Sequence, residues 1–136
     1  MFVFNGRRIR YLRWSRNLLI VTGAQQQMER MCRIIKIKPD VIPKYKRIHA
    51  AVWPEILSAI AKSNVKNYTI FLREPEALLI SYWEYHGTDY AKDMEEIKQA
   101  PRMQEWWNMT DPMQVPLETR GNHEWWAEAD EVFHTD

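Results

Sequence analysis

The sequence predicts an α+β fold whose elements follow the order β-α-β-β-α-β. Three observations lead to this prediction: strand-like runs of β-branched and aromatic residues, two stretches with apolar residues at helical spacing, and a short turn that joins two of the strands. The length of 136 residues suits one domain, and 46% hydrophobic with 27% charged residues is ordinary for a globular chain.

The first strand and helix come from the segment that follows Met28. A β-branched apolar run predicts a strand over 31–37, and Asp40 is expected to cap a helix over 41–62. Pro54 predicts either a kink in this helix or the start of a new segment. The large side chains that recur at three- and four-residue steps are expected to share one stripe: Tyr45, His49, Trp53, Leu57 and Ile60.

A hairpin and a second helix follow. Strands over 67–72 and 78–85 flank a short turn, which predicts antiparallel pairing. Thr88 or Asp89 is expected to cap the second helix, and Pro101 to stop it.

The C-terminal part is less regular. We expect a short helix over 102–109, an irregular loop from Asp111, and a last strand over 131–134. The whole order is that of a ferredoxin-like domain. Helices on one face of such a sheet leave the other face uncovered, and a homodimer is the simplest way to cover it.

Charge is distributed unevenly along the chain. Residues 1–27 contain five arginines and no acidic residue, so the 14 basic and 18 acidic residues of 28–136 give that part a formal charge of −4. An acidic body argues against nucleic-acid binding. We assign the fold to residues 28–136 and treat 1–27 as an extension that is disordered or not native, with a targeting signal as the alternative.

The numbers and positions of cysteine and histidine residues limit which disulfides and metal sites the chain can form. Cys32 is the single cysteine, so no internal disulfide is possible and a reducing, cytoplasmic setting is expected. No apolar run approaches the roughly 20 residues that span a bilayer. The four histidines show no spacing typical of metal ligands, so no metal site is predicted.

His49 is the candidate acid/base residue, because an imidazole between Tyr45 and Trp53 on a helix suits proton transfer near neutral pH. A buried, hydrogen-bonded core histidine is the alternative. Trp106 and Trp107 point about 100° apart on a helix, so one can pack in the core while the other walls a pocket; the alternative is that both fill space.

Three further residues are candidates for the functional site, and each could instead have a purely structural role. Tyr68 shares a strand face with Ile70, so it is either a core tyrosine or one whose hydroxyl reaches a pocket rim. Asp111 and Glu55 are possible carboxylate partners, although capping or solvated roles are more common for such residues.

Several blocks in order resemble the L-rhamnose mutarotase family. They are 45–49 (YKRIH), 52–55 (VWPE), 67–68 (NY), 106–107 (WW) with 109–111 (MTD), and 131–133 (EVF), over about residues 31–133.

The resemblance implies two ferredoxin-like subunits joined as a dimeric α/β barrel. It also implies exchange of the L-rhamnose anomers without metal or cofactor. His49 matches the acid/base histidine, and four residues match positions that contact the sugar: Tyr45, Tyr68, Trp106 and Trp107. The alternatives are a cofactor-free monooxygenase-like enzyme on the same barrel, since fold does not fix function, and a non-catalytic sugar-binding protein.

Overall fold

The structure is a computed structural model that describes residues 28–136. The Arg-rich segment 1–27 lies outside the described residues. Nine strands and helices follow one another in the described part: β1 Glu29–Ile37, α1 Ile42–His49, α2 Pro54–Lys62, β2 Val65–Arg73, β3 Leu78–Tyr85, α3 Tyr90–Gln99, α4 Met103–Thr110, β4 Gln114–Val115 and β5 Ala127–Ala129.

The strands form one antiparallel sheet in the order β2-β3-β1-β4, and β5 also pairs with β1. The predicted hairpin is confirmed, because β2 and β3 pair antiparallel across the turn. The prediction of a strand over 131–134 is wrong. These residues are exposed, and β5 begins four residues before the predicted strand, where Ala127 and Ala129 pair with Ile34 and Cys32 of β1. A two-residue strand, β4, also forms in the stretch expected to be irregular.

Pro54 begins a new helix, the second of the two outcomes expected for it. Trp53 precedes this proline in an extended conformation (φ −60°, ψ 139°), as the residue before a proline favours, so α1 and α2 are separate. The expected single stripe is therefore broken, and Leu57 is 55% exposed while Tyr45 is buried. Asp40 caps no helix; it lies within a short 3₁₀ turn, Pro39–Val41.

The core lies between the helices and one face of the sheet. Ile35 and Leu79 from the central strands pack with Ile42 and Tyr45 of α1. A second cluster packs α2, α3 and α4 together through Ile56, Ile97, Met103, Trp106 and their neighbours. The side chains on the other face of the sheet lie away from these helices.

The start of α3 is fixed by polar contacts. The Asp89 side chain accepts a hydrogen bond from the Lys92 amide, which confirms Asp89 as the cap. In the first turn, the buried Asp93 carboxylate accepts hydrogen bonds from the Tyr85 hydroxyl (2.6 Å) and the Asn64 amide (2.8 Å). None of the helices described over residues 28–136 has the length and apolar composition of a membrane span.

Candidate active site

A cavity opens between the inner face of the sheet, the end of α1 and helix α4. Its empty volume is about 490 Å³, part of which is open solvent, and this falls within the range common for small-molecule sites. All five predicted site residues line it: Tyr45, His49, Tyr68, Trp106 and Trp107.

His49 is the last residue of α1 and is held on three sides. Its Nδ1 lies 2.9 Å from the backbone carbonyl oxygen of Tyr45, which can only accept, so Nδ1 carries the proton and Nε2 remains for other partners. The Tyr45 ring stacks on the imidazole at 4.0 Å between centroids, and Trp106 meets it edge-on at 5.3 Å. His49 is thus partly buried and hydrogen-bonded, as the structural alternative expects, and it also lines the cavity, as an acid/base role requires.

Burial sets the charge of this imidazole. Desolvation lowers the pKa of His49 below its ordinary 6.5, and the hydrogen bond to the Tyr45 carbonyl opposes this only in part. His49 is therefore mainly neutral at pH 7, and its free Nε2 is available as a base.

Tyr68 faces the cavity because of a bulge in β2. The register against β3 shifts between Lys66 and Thr69, and Asn67 adopts a positive φ of 50°. Without the extra residue, the alternation that buries Val65 would turn Tyr68 outward; with it, Tyr68 points inward. Asparagine tolerates this left-handed conformation better than most residues.

Both phenols are held neutral. Burial raises the pKa of Tyr68 to about 12, and the positive charge of Arg33 acts in the opposite direction. Burial is also the main cause that raises the pKa of Tyr45; the nearby Tyr68 adds to the rise, and a hydrogen bond with the Gln114 side chain opposes it. Each tyrosine can therefore donate a hydrogen bond from its hydroxyl at neutral pH.

Trp106 and Trp107 are both buried, and both line the cavity. The structure therefore does not divide them into one core residue and one wall residue, because both belong to the core cluster of α2, α3 and α4 and both border the cavity. Side chains about 100° apart on a helix can both border a cavity that lies in the angle between them.

Residues outside the cavity lining hold Trp106 in place through a series of contacts. Trp53 meets Trp106 edge-on at 5.2 Å, and the Arg102 guanidinium lies 3.8 Å from the Trp53 ring centre. Arg102 in turn pairs with Glu55 at 3.4 Å and with Glu105 at 3.2 Å. Glu55 is thus an ion-pair partner at the surface and is not among the cavity-lining residues, whereas Asp111 does line the cavity.

Sequence reasoning missed Arg33. This residue lies between Met31 and Ile35 on the face of β1 that points to the helices, and it lines the cavity. An arginine at an inward position of a strand pattern is a signal that could have been used. Six other lining residues were missed: Ile70, Ser81, Trp83, Thr110, Gln114 and Trp126.

The arrangement suits proton transfer on a neutral, hydroxyl-rich ligand. A neutral imidazole and two phenols supply proton donors and acceptors, while indole rings offer flat apolar walls on which C–H faces can stack. Over residues 28–136, no three His, Cys, Asp or Glu side chains are grouped so that they could hold a metal ion.

Comparison with known protein sequences agrees with the resemblance seen in the sequence blocks. The pattern of the L-rhamnose mutarotase family matches residues 30–135. An L-rhamnose mutarotase from Mesorhizobium japonicum is 34% identical over 98 residues, which is 62% of this chain and 88% of that protein. One from Bacteroides thetaiotaomicron is 28% identical over 110 residues, which is 80% of this chain and all of that protein.

Comparison with solved structures supports the fold. The crystal structure of an L-rhamnose mutarotase from Formosa agariphila superposes with a TM-score of 0.59 at 19% identity and covers 79% of this chain and 99% of that one. A nipsnap family protein with unknown function from Agrobacterium tumefaciens gives a TM-score of 0.52 at 16% identity, with 67% and 82% coverage. At these identities the likeness concerns the fold alone.

Proposed function

Because the chain belongs to the L-rhamnose mutarotase family, we propose that it exchanges the α and β anomers of L-rhamnose in the cavity described above, with His49 as the acid/base residue. One observation carries the assignment of His49: its Nδ1 is bound to the Tyr45 carbonyl, which leaves Nε2 as the nitrogen for the sugar. A fixed tautomer is what a general base needs if it is to take a proton at one defined atom.

The proposed reaction begins at the anomeric hydroxyl. His49 Nε2 takes the proton from O1, a C1–O1 double bond forms, and the bond between C1 and the ring oxygen breaks. The ring oxygen keeps that electron pair and takes up a proton from a tyrosine of the cavity or from water. Rotation about C1–C2 turns the other face of the aldehyde toward the hydroxyl, and reversal of the proton transfers closes the ring as the other anomer.

The cavity suits a sugar without charge. Trp106 and Trp107 offer indole faces for the C–H groups of the ring. Tyr45 and Gln114 supply polar atoms for the hydroxyl groups. General acid–base assistance is worth about 10²–10⁴-fold, which is useful for a reaction that also proceeds slowly unaided.

Anomer exchange measured by NMR magnetisation transfer on L-rhamnose tests this proposal. The wild-type protein should accelerate exchange above the spontaneous rate, and His49→Gln should lower the enzymatic rate by about 10²-fold or more. His123→Gln, at an exposed loop position, is the matched control and should keep the wild-type rate.

Two results would contradict the proposal. If pure wild-type protein does not accelerate anomer exchange, the proposed mutarotase activity is excluded. If it then still binds L-rhamnose, the non-catalytic sugar-binding alternative is favoured. Full activity of His49→Gln would remove the role given to that residue.

We also propose that the protein is a homodimer built through the outer face of the sheet, in the manner of a dimeric barrel. One row of apolar side chains crosses this face, because Phe71 pairs with Ile80, Ile80 with Ile34, and Ile34 with Ala127. Phe71 is 58% exposed in the single chain. A contiguous apolar row of this kind is typical of a surface that a partner covers.

A further inference from the structure

The cavity contains one fixed positive charge. Arg33 rises from the central strand β1, and its Nη2 donates a hydrogen bond to the Tyr90 hydroxyl at 3.1 Å. Its guanidinium carbon lies 5.6 Å from the centre of the Trp83 ring. Tyr90 itself stacks on Trp83 at 6.0 Å and meets Tyr85 edge-on at 5.1 Å. The aromatic groups of β3 and α3 therefore fix the guanidinium at the cavity wall.

A neutral sugar carries no charge of its own for Arg33 to act on, but the reaction develops one. Negative charge develops during ring opening, when the ring oxygen keeps the electron pair of the broken bond. A residue that donates a proton to this oxygen becomes negative itself, and a nearby fixed cation stabilises that state.

The other titratable groups that line the cavity narrow the choice of donor. They are Tyr45 and His49 on α1, Tyr68 on β2 and Asp111 after α4. His49 is assigned to O1 in the proposed reaction, and among the remaining groups the two phenols carry a hydroxyl that can donate at neutral pH. Tyr45 stacks on His49, so it lies on the side of the cavity where the proton of O1 is taken. Tyr68 packs against the cluster that contains Trp83, the ring beside which the Arg33 guanidinium lies, so Tyr68 is on the Arg33 side of the cavity and within the influence of its positive charge.

We propose that Tyr68 donates the second proton, to the ring oxygen, and that Arg33 is the positioning residue that stabilises the resulting phenolate. This inference rests on the proposed anomer exchange and names the partner of His49 in it. As C1–O5 breaks, Tyr68 gives its proton to O5 while His49 takes the proton of O1. On reclosure, O5 returns a proton to Tyr68 and His49 returns one to O1, so both residues are restored.

A double-mutant cycle tests the pairing of Arg33 with Tyr68. Tyr68→Phe and Arg33→Met should each lower kcat for anomer exchange, by about 10-fold or more, with a smaller change in KM. The double variant should be no slower than Tyr68→Phe, because Arg33 acts through the phenol. Arg33→Lys, which keeps a positive charge, should recover part of the loss.

The matched control is Arg30→Met. Arg30 lies on the same strand, pairs with Glu131 at 2.5 Å and does not line the cavity, so this variant should keep the wild-type kcat. Calorimetric binding of L-rhamnose to Arg33→Met should stay within about threefold of wild type, and its thermal unfolding should remain cooperative. Loss of binding instead would make Arg33 a substrate-binding residue and overturn the inference.

Failure of this inference is distinguishable from failure of the proposed function. Inactive wild-type protein contradicts both. Active wild-type protein with Arg33→Met at full kcat contradicts the inference alone. The inference is also contradicted if the fold-loss of kcat in the double variant equals the product of the two single losses, since Arg33 would then act independently of Tyr68.

Discussion

Acid should switch off the exchange reaction through protonation of His49. The imidazole acts as a base only when neutral, and burial between Tyr45 and Trp106 disfavours its charged form. The folded-state pKa therefore lies below the ordinary 6.5. A histidine with the ordinary pKa would be half protonated at pH 6.5, so His49 must be more than half neutral there.

The size of the effect follows from this titration. Between pH 8 and pH 6.5, kcat/KM for anomer exchange should fall by less than twofold. Below the folded-state pKa of His49 it should fall about tenfold per pH unit. The free energy of unfolding should also fall with pH, because His49 binds a proton more readily in the unfolded chain than in the folded protein. The loss is up to about 1.4 kcal/mol per pH unit as pH falls from 6.5 toward the folded-state pKa.

NMR magnetisation transfer from pH 4.5 to 8, with the spontaneous rate subtracted at each pH, measures the rate profile. Urea unfolding of wild type and His49→Gln over the same range isolates the stability contribution of this side chain, since the variant has no imidazole. A rate midpoint above pH 6.5 would refute the reasoning. So would a stability difference between the two proteins that does not change with pH.

Three further predictions concern other parts of the structure. Tyr45→Phe keeps the stacked ring and loses one hydroxyl contact, so KM should rise about 2- to 10-fold with little change in kcat; an unchanged KM would contradict a sugar contact at this hydroxyl. Phe71→Asp should convert a dimer to a monomer in light scattering, and a wild-type protein that is monomeric at micromolar concentration would count against the outer face as an interface. At Gly87, a Cβ would collide with the Tyr85 hydroxyl and the Asp93 carboxylate, so Gly87→Ala should cost about 1–3 kcal/mol in urea unfolding, whereas a loss below about 0.5 kcal/mol would show that this pair can move aside.

The elements with strong local signals were predictable from the sequence. The β-branched run of β1, the hairpin between β2 and β3 and the cap at Asp89 are each determined by residues close in sequence. The last strand could not be predicted in this way. The EVF run at 131–133 has good strand propensity, but the edge next to β1 is occupied by Ala127–Ala129, and Val132 remains 94% exposed.

Residues that line the cavity could be predicted where a resemblance or a helical spacing marked them, as for His49 and Tyr45. The bulge at Asn67 could not be inferred from propensity, because it depends on the register that β2 adopts against β3. The support of Trp106 by Trp53 and Arg102 also joins residues far apart in sequence. Arg33 was visible as an inward arginine, but its role depends on Tyr90, which α3 contributes.

A structure of the protein with bound L-rhamnose tests the central assignment most directly. The account predicts His49 Nε2 within about 3.2 Å of O1 of the sugar, with the sugar ring against Trp106 or Trp107. A sugar bound with its C1, O1 and ring oxygen all beyond reach of the imidazole would contradict it.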